Sequence, residues 1–129
     1  MPLYRCTVPQ GRLSTEQRAA IAAEVTTIHC EETGAPDTFV HVFFFDGPAD
    51  PPYRLHGSIR AGRTGAQKDA LRNRMRDAIS EIADVPADNV SVTTNDVPAK
   101  WVMEGGVLLP EPGEAAEWLA ETHHGCTGA

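Results

Sequence analysis

Residues 11–17 read GRLSTEQ, and residues 62–67 read GRTGAQ. A second pair of similar stretches follows at nearly the same separation, with APDTFVHV at residues 35–42 and VPADNVSV at residues 85–92. The separation is 51 positions between the Gly-Arg pairs and 50 between the prolines of the second pair. Two unrelated matches at one spacing indicate a duplicated unit of about fifty residues.

Each unit begins and ends in a predicted strand. The first unit offers strands at residues 3–8 and 38–45, and the second offers them at residues 55–60 and 89–97. A helix between the strands makes two βαβ units, whose parallel strand pairs need right-handed crossovers. We therefore expect the α+β class, with one four-stranded mixed sheet and both helices on one face.

Capping-box patterns mark the start of the helix in each unit. Ser14 is followed three residues later by Gln17, and Thr64 is followed in the same way by Gln67. Gly34 is the predicted end of the first helix. The apolar stripes that we expect to face the sheet are Ile21, Val25 and Ile28 in the first helix, and Leu71, Met75, Ala78 and Ile82 in the second.

The sheet face turned away from the helices has no predicted cover. Residues 39–45, FVHVFFF, are apolar at almost every position, which is typical of a strand buried on both faces. Two helices cover only one side of a sheet. We therefore expect another subunit on the other side, and hence an oligomer.

Length and composition exclude several classes of protein. At 129 residues the chain suits one domain, 1–129, made of the repeats at about 1–50 and 51–100 and a C-terminal segment at 101–129. The net charge of -7 argues against a nucleic-acid surface. No apolar run has the length of a membrane span, and we expect no signal peptide.

Three cysteines without a CxxC pair favour a reducing compartment, so we expect a cytoplasmic protein without a disulfide framework. The tail HHGC, residues 123–126, offers possible metal ligands. Two adjacent histidines do not share a metal site easily without further ligands, so a frayed end is the favoured interpretation. We expect no metal and no cofactor.

Pro2 follows the first methionine at the mouth of the first predicted strand. An initiator methionine is normally removed before a small second residue, which would leave Pro2 with a secondary amine as its terminus. A terminal amine titrates at about 8, and apolar burial or nearby cations lower its pKa. Such an amine suits proton transfer near neutral pH. The alternative is a proline placed by chance in a disordered end.

Two arginines flank a glycine directly before the second helix, in IRAGRTGAQ at residues 59–67. A helix start offers free backbone N–H groups. The guanidiniums of Arg60 and Arg63 would add a clamp there for a carboxylate or a phosphate. The Walker lysine pattern is absent, so a nucleotide phosphate is not favoured. The alternative is a pair of solvated arginines, or ion pairs with some of the 18 acidic residues.

Two further candidates each have a structural alternative. His29 lies four residues after Val25, at the end of the first helix, where it would help to bind an anion or be a partly buried histidine stabilised by the helix C-terminus. Glu104 follows the apolar WVM and precedes two glycines. Its carboxylate would activate water or shuttle a proton, or be a solvated turn residue.

Taken in chain order, these features resemble the tautomerase superfamily. They are Pro2 on the first strand, the βαβ repeat, His29 at the end of the first helix, RAGR at residues 60–63 and VPAKWVMEGG at residues 97–106. Within the superfamily the resemblance is to cis-3-chloroacrylic acid dehalogenase and its homologues, and it covers most of the chain.

This resemblance implies a homotrimer of fused βαβ protomers with Pro2 at the base of each active site. It implies that Arg60 and Arg63, with His29, hold the carboxylate of a small anionic substrate. It also implies that Glu104 is the acidic residue that activates water in the dehalogenases.

One position departs from the dehalogenase pattern. Thr93, in NVSVTTND at residues 89–96, stands where the dehalogenase has a tyrosine. Threonine keeps a hydroxyl but loses reach and is a much weaker acid than a phenol. Tyr4 is the nearby aromatic hydroxyl that would substitute for it. The departure makes efficient dehalogenation doubtful.

Three functions follow as hypotheses. The first is keto–enol tautomerisation of a small 2-oxo or unsaturated carboxylate, with neutral Pro2 as the base. The second is cis-3-haloacrylate dehalogenation or hydration, with protonated Pro2 as the acid and Glu104 preparing the water. The third is a non-catalytic trimer that binds anions or a protein partner. The arginines lower the pKa of Pro2 and the acidic residues raise it, so the sequence leaves its protonation state open.

Overall fold

The structure is a computed structural model, and it describes residues 1–122. In chain order its strands and helices are β1 (Leu3–Val8), α1 (Thr15–Thr33), β2 (His41–Asp46), β3 (Tyr53–Arg60), α2 (Gly65–Ala83), β4 (Val90–Val97), β5 (Met103–Glu104), β6 (Val107–Leu108) and α3 (Ala115–Thr122). Short 3₁₀ turns precede β2, β4 and β5. Within these residues, no helix combines the length and apolar character needed to cross a lipid bilayer.

The first four strands form one mixed sheet in the order β2-β1-β3-β4. β1 pairs with β2 and β3 pairs with β4 in parallel, while β1 and β3 run antiparallel at the centre. This confirms the predicted four-stranded sheet built from two βαβ units. In the register, Leu3 lies opposite Ser58 on one side and His41 on the other. The start of β1 therefore meets the end of β3 at one edge of the sheet.

Two predicted strand boundaries differ from the structure. β3 begins at Tyr53 rather than at residue 55, because Tyr53 pairs with Val90 and its side chain is buried. Residues 37–39 form a 3₁₀ turn rather than the start of a strand. The turn sends the buried Phe39 into a second apolar cluster, away from the main core.

Both predicted capping boxes are present. The Ser14 hydroxyl accepts from the Gln17 N–H at 3.1 Å, and the Gln17 side-chain carbonyl accepts from the Ser14 N–H at 2.8 Å. Thr64 and Gln67 make the same two bonds at the start of α2. Gly34 ends α1 in the left-handed conformation with φ 75°, as predicted.

The capping glutamines also join the two helices to each other. The side-chain amide of Gln17 donates to the carbonyl of Ile82 at 3.1 Å, and that of Gln67 donates to the carbonyl of Glu32 at 3.0 Å. Carbonyls in the last turn of a helix lack intrahelical partners. A glutamine at the start of each helix therefore supplies a hydrogen-bond donor to a free backbone carbonyl at the end of the other helix.

The main core lies between the helices and one face of the sheet. Its buried side chains come from α1 (Ile21, Val25 and Ile28), from α2 (Leu71, Met75 and Ile79) and from the strands (Tyr4, Cys6, Val8, Leu55 and Ile59). In the predicted stripe of α2, Ala78 and Ile82 are only partly buried. Ile79 takes the inner position instead, because it lies one turn beyond Met75 on the same side.

The opposite face of the sheet is open in the single chain. Phe43 is 54% exposed and Phe45 is 44% exposed, while their neighbours Val42 and Phe44 pack against the core under the helices. The guanidinium of Arg5 lies 5.3 Å from the centre of the Phe45 ring on this open face. Within one chain, β2 is thus covered only on its helix side.

Gly57 leaves room for a buried aromatic ring. It pairs with Tyr4 on β1, and a Cβ at this position would overlap the ring carbons of Tyr4. Tyr4 is fully buried, so its ring cannot move aside into solvent. The absence of a side chain at Gly57 thus determines where the Tyr4 hydroxyl lies.

We expect Gly57→Ala to lower the free energy of unfolding by about 1–3 kcal/mol, because it overpacks the core against Tyr4. Urea denaturation of both proteins measures this difference. Gly65→Ala is the matched control, since a Cβ at Gly65 meets no atom within 4 Å, and it should not lower stability. A Gly57→Ala protein as stable as the unmodified chain would contradict the analysis.

Candidate active site

Four parts of the chain meet where β1 begins. Pro2 is fully buried, and its carbonyl accepts from the N–H of His41 at 3.1 Å. Arg60, the last residue of β3, is 3% exposed. The β5–β6 hairpin and α3 approach the same corner through their contacts with Met1. Antiparallel pairing of β1 with β3 therefore brings two distant candidates, Pro2 and Arg60, to one edge of the sheet.

The N-terminal amine lies inside this corner. The amine of Met1 donates to the carbonyl of Phe39 at 3.1 Å and also contacts the Glu104 carboxylate. Burial, followed by the charge of Arg60, lowers the pKa of this amine to about 6. The contact with Glu104 acts in the opposite direction, because a carboxylate favours the ammonium form. An amine at this position is therefore available as a base near neutral pH.

The two predicted arginines lie together between β3 and α2. Arg60 donates to the carbonyl of Pro110 at 2.7 Å, and Arg63 donates to the carbonyl of Thr33 at 2.9 Å. Burial lowers the pKa of both guanidiniums, that of Arg60 to about 10, and Arg63 further lowers the pKa of Arg60. Both side chains thus stay cationic at neutral pH.

Neither cation is in direct contact with an acidic side chain in the part of the chain whose side chains are described. Among residues 1–120 neither arginine forms an ion pair, although the charge of Glu111 raises the pKa of Arg60, and the Nε of Arg63 is buried without a hydrogen-bond partner there. A cavity of about 230 Å³ is lined by both arginines together with Thr33 and Ala115. Neither alternative, solvated arginines or arginines in ion pairs, describes Arg60, which is buried and forms no ion pair with the described side chains. A buried and a half-buried cation beside an open space are suited to an anion.

His29 lies behind the arginines on α1, with 1% of its surface exposed. Its Nδ1 and the Tyr4 hydroxyl share a hydrogen bond of 2.8 Å, and the two rings meet edge to face. Burial, then Arg63, Arg60 and the N-terminus, lower the pKa of His29 to about 3. Burial raises the pKa of Tyr4. Both rings are neutral at pH 7, so His29 can offer an anion an N–H group but no charge.

The apolar wall of the corner was not identified from the sequence. Phe39 is 1% exposed, and its ring lies 5.4 Å from the Arg60 guanidinium and 5.5 Å from the Trp118 ring, which meets it at 90°. The apolar residues of the C-terminal segment are the signal that would have pointed to this wall, because apolar side chains outside the two repeats need a surface to pack against.

Thr93 lies away from this corner. It is on the open face of the sheet, where its hydroxyl shares a hydrogen bond of 2.7 Å with Nδ1 of His56. His56 in turn bonds Asn95 at 2.7 Å. Thr93 precedes Val97, the partner of Arg60, by four residues, which is about 13 Å along a strand. One chain therefore brings together Pro2, Tyr4, His29, Arg60, Arg63 and Glu104 but leaves Thr93 apart, and its role stays a prediction.

The possible metal ligands of the tail, residues 123–126, lie outside the described residues. In the part of the chain that is described, no group of three histidine, cysteine, aspartate or glutamate side chains is arranged to hold a metal ion. Cys6 is buried and free, and Cys30 is half-buried and free. Burial raises the pKa of the Cys6 thiol to about 12, which makes it unreactive.

Comparison with known proteins finds a family model and a solved structure that are similar to this chain. Residues 2–53 match a family model described as tautomerase enzyme. A crystal structure of a member of the cis-3-chloroacrylic acid dehalogenase family is 31% identical, covers 98% of this chain and 96% of its own, and has a TM-score of 0.90. No curated protein matches the sequence.

More distant structures share the fold. A fused 4-OT solved as an asymmetric trimer is 24% identical over 90% of this chain and 98% of its own, with a TM-score of 0.75. A malonate semialdehyde decarboxylase inhibited by 3-bromopropiolate is 20% identical over 92% of this chain and 98% of its own, with a TM-score of 0.71. Proteins that carry different activities are thus built on this architecture.

We expect His29 to make the protein less stable as the pH falls below 6.5. An unfolded histidine takes up a proton at about pH 6.5, whereas folded His29 does so only at about 3. The unfolded state therefore binds more protons in this window, and stability is lost as the pH decreases. Between pH 6 and pH 5, the free energy of unfolding of the native chain should decrease by about 1 kcal/mol more than that of His29→Asn.

Urea denaturation at each pH measures this loss. A stability difference between His29→Asn and the native chain that stays constant with pH would mean that folding does not depress the pKa of His29.

Proposed function

The chain belongs to the tautomerase superfamily, and from this premise we propose that it is an enzyme that moves a proton on a small 2-oxo or unsaturated carboxylate. Keto–enol tautomerisation is the reaction that we favour. The observation that carries the proposal is a partly buried amine of lowered pKa beside the buried Arg60 and the half-buried Arg63, neither of which forms an ion pair with a side chain of residues 1–120. An amine of this kind is a base at neutral pH, and the arginines supply the charge that an anionic substrate needs.

The base in this proposal is Pro2, freed by removal of Met1. Its nitrogen is one residue from the Met1 amine, in the same buried corner. Burial and Arg60 lower the pKa of the Met1 amine to about 6, and the same two causes act on a Pro2 amine. At pH 7 a neutral Pro2 takes a proton from the carbon next to the carbonyl, or returns one to the enol.

Arg60 and Arg63 bind the substrate carboxylate and stabilise the enolate that forms as the proton leaves. The backbone carbonyls of Pro110 and Thr33 hold the two guanidiniums in place before substrate arrives. Preorganised charge of this kind lowers the barrier because it needs no rearrangement during the reaction. His29, held neutral by burial and by the arginines, adds an N–H donor or simply supports the cations.

The assembly that we propose is a homotrimer in the cytoplasm. The open face of the sheet, with Phe43 and Phe45 exposed, is the surface that the other subunits would cover. The fused 4-OT with a TM-score of 0.75 forms a trimer. Burying this face would complete the cover of β2 that its apolar sequence predicts.

A second candidate reaction has its own supporting observation. The dehalogenase-family relative is 31% identical, and Glu104 contacts the N-terminal amine. If Glu104 keeps Pro2 protonated, Pro2 becomes an acid and Glu104 prepares a water molecule for addition to a cis-3-haloacrylate. A non-catalytic trimer that binds anions or a protein partner is the third possibility, and it predicts that Met1 is retained or acetylated.

We expect Pro2→Ala to reduce the ketonisation of phenylenolpyruvate by about a hundredfold or more, because a flexible primary amine replaces the ring-held base. Steady-state rates measure the loss, and Pro48→Ala, in the turn after β2, is the control. Intact mass spectrometry should show the loss of one methionine from the native chain. Retained Met1, or an unaltered rate in Pro2→Ala, would rule out Pro2 as the base.

We expect slow turnover of cis-3-chloroacrylate by the native chain and a rise of about tenfold or more in Thr93→Tyr, since a phenol is a better acid with a longer reach. Chloride release measures the rate. Ser91→Tyr, two residues earlier on the same face of β4, is the matched control and should give no rise. Thr93 is on the open face, so its hydroxyl reaches a carboxylate site only across a subunit contact. Equal rates in both variants would remove Thr93 from the site.

A further inference from the structure

Met1 fills an apolar compartment next to the arginines. Its side chain is only 10% exposed. It packs against a cluster separate from the main core, whose other members are Phe39, Leu109, Ala115, Val102, Trp118 and Leu119. Three of the six come from α3, and two more, Val102 and Leu109, directly flank the β5–β6 hairpin. The C-terminal segment therefore encloses the first residue of the chain, and we call this space the Met1 compartment.

The Met1 compartment is polar at one end and apolar at the other. Its polar end holds the chain amine, the Glu104 carboxylate and Arg60, whose guanidinium stacks on Phe39 at 5.4 Å. The ring of Trp118 also meets Phe39, at 5.5 Å and 90°. A molecule that lies against Phe39 thus has both a cation and an indole beside it.

This inference rests on the proposed function, in which removal of Met1 frees Pro2. The same cleavage empties the Met1 compartment. We propose that this space is then the subsite for the tail of the substrate, and that the substrate class is 2-oxo or enol monocarboxylates with an unbranched or flat apolar tail. The compartment already accommodates the unbranched thioether chain of methionine, so a tail of several carbons replaces contacts that the methionine makes.

Substrates of three carbons, or with a second carboxylate, fit this space less well. A three-carbon acid bound by the arginines would leave the walls at Phe39 and Leu109 in contact with water. A carboxylate at the tail would have to lose its hydration among apolar side chains. The apolar end thus selects against both, and it does so independently of the carboxylate clamp.

Trp118 is the residue that we assign to tail specificity. Its indole N–H donates to the carbonyl of Leu108 at 2.5 Å, and its ring meets the Phe39 ring at 90°. These contacts hold a large flat surface in the wall of the Met1 compartment. Trp101 makes a suitable comparison because it lies beside the same hairpin with 73% of its surface exposed.

The experiment uses the full chain with Met1 removed and a series of straight-chain 2-oxo acids from pyruvate to 2-oxohexanoate. Exchange of the C3 protons for deuterium, followed by NMR, gives kcat/KM for each acid. Burial of one methylene should raise kcat/KM by about fourfold, so the three methylenes added between pyruvate and 2-oxohexanoate should raise it by about sixtyfold. Affinities for propanoate, hexanoate and hexanedioate, measured by calorimetry, test the subsite without turnover, and hexanoate should bind best.

The outcomes separate the subsite from the proposed function. Exchange that does not increase with chain length would overturn the subsite and leave the function standing. No exchange with any acid, together with tighter binding of hexanoate than of propanoate and hexanedioate, would support the subsite and overturn the function. Failure of both measurements would overturn both.

Variants then locate the subsite in the chain. Trp118→Ala should reduce the increase in kcat/KM per methylene from about fourfold to less than about twofold. Trp118→Phe should keep most of this increase. Trp101→Ala should leave the gain unchanged. The same loss in Trp101→Ala, or none in Trp118→Ala, would mean that Trp118 does not contact the tail. If Trp118→Ala does not fold, the comparison of hexanoate with hexanedioate in the native chain still decides the proposal.

Discussion

The antiparallel pairing of β1 with β3 is the constraint on which the site depends. Because Leu3 lies opposite Ser58, the start of the chain and the turn that carries Arg60 and Arg63 reach the same edge of the sheet. A register shift of one residue would turn every side chain of β1 to the other face. It would then remove Tyr4 from the core and separate it from His29. The repeat thus matters for function because it places two chain segments about sixty residues apart beside one another.

This arrangement is energetically unfavourable because it removes the charged arginines from water. Burying a cation without a counter-ion is unfavourable, and the lowered pKa values of Arg60 and Arg63 express that cost. Backbone carbonyls of Pro110 and Thr33 offset part of it. An anionic ligand would offset more of this cost, and the difference would contribute to the affinity for the anion. The neutral state of His29 has the same origin, since a third charge in this corner would meet two cations and little water.

Local patterns predicted local structure well. The capping boxes at Ser14 and Thr64, the helix end at Gly34 and the buried position of His29 all depend on residues within a few positions of each other. The Met1 compartment could not be found in this way, because Phe39 and Trp118 meet only after the C-terminal segment folds back across the start of the chain. Predicting Arg60 and Arg63 as neighbours was possible from their spacing, but whether acidic side chains contact them depends on where the acidic residues lie in three dimensions.

The hydrogen bonds from the side-chain amide of Gln17 to the carbonyl of Ile82, and from that of Gln67 to the carbonyl of Glu32, have a consequence for motion. Each glutamine caps its own helix and restrains the far end of the other, so fraying at one terminus releases a contact at the opposite terminus of the neighbour. The helix pair should therefore open as one cooperative unit in hydrogen exchange, with similar protection at all four ends. Since Thr33, next to Glu32, also holds Arg63, the rigidity of this unit extends directly to the anion clamp.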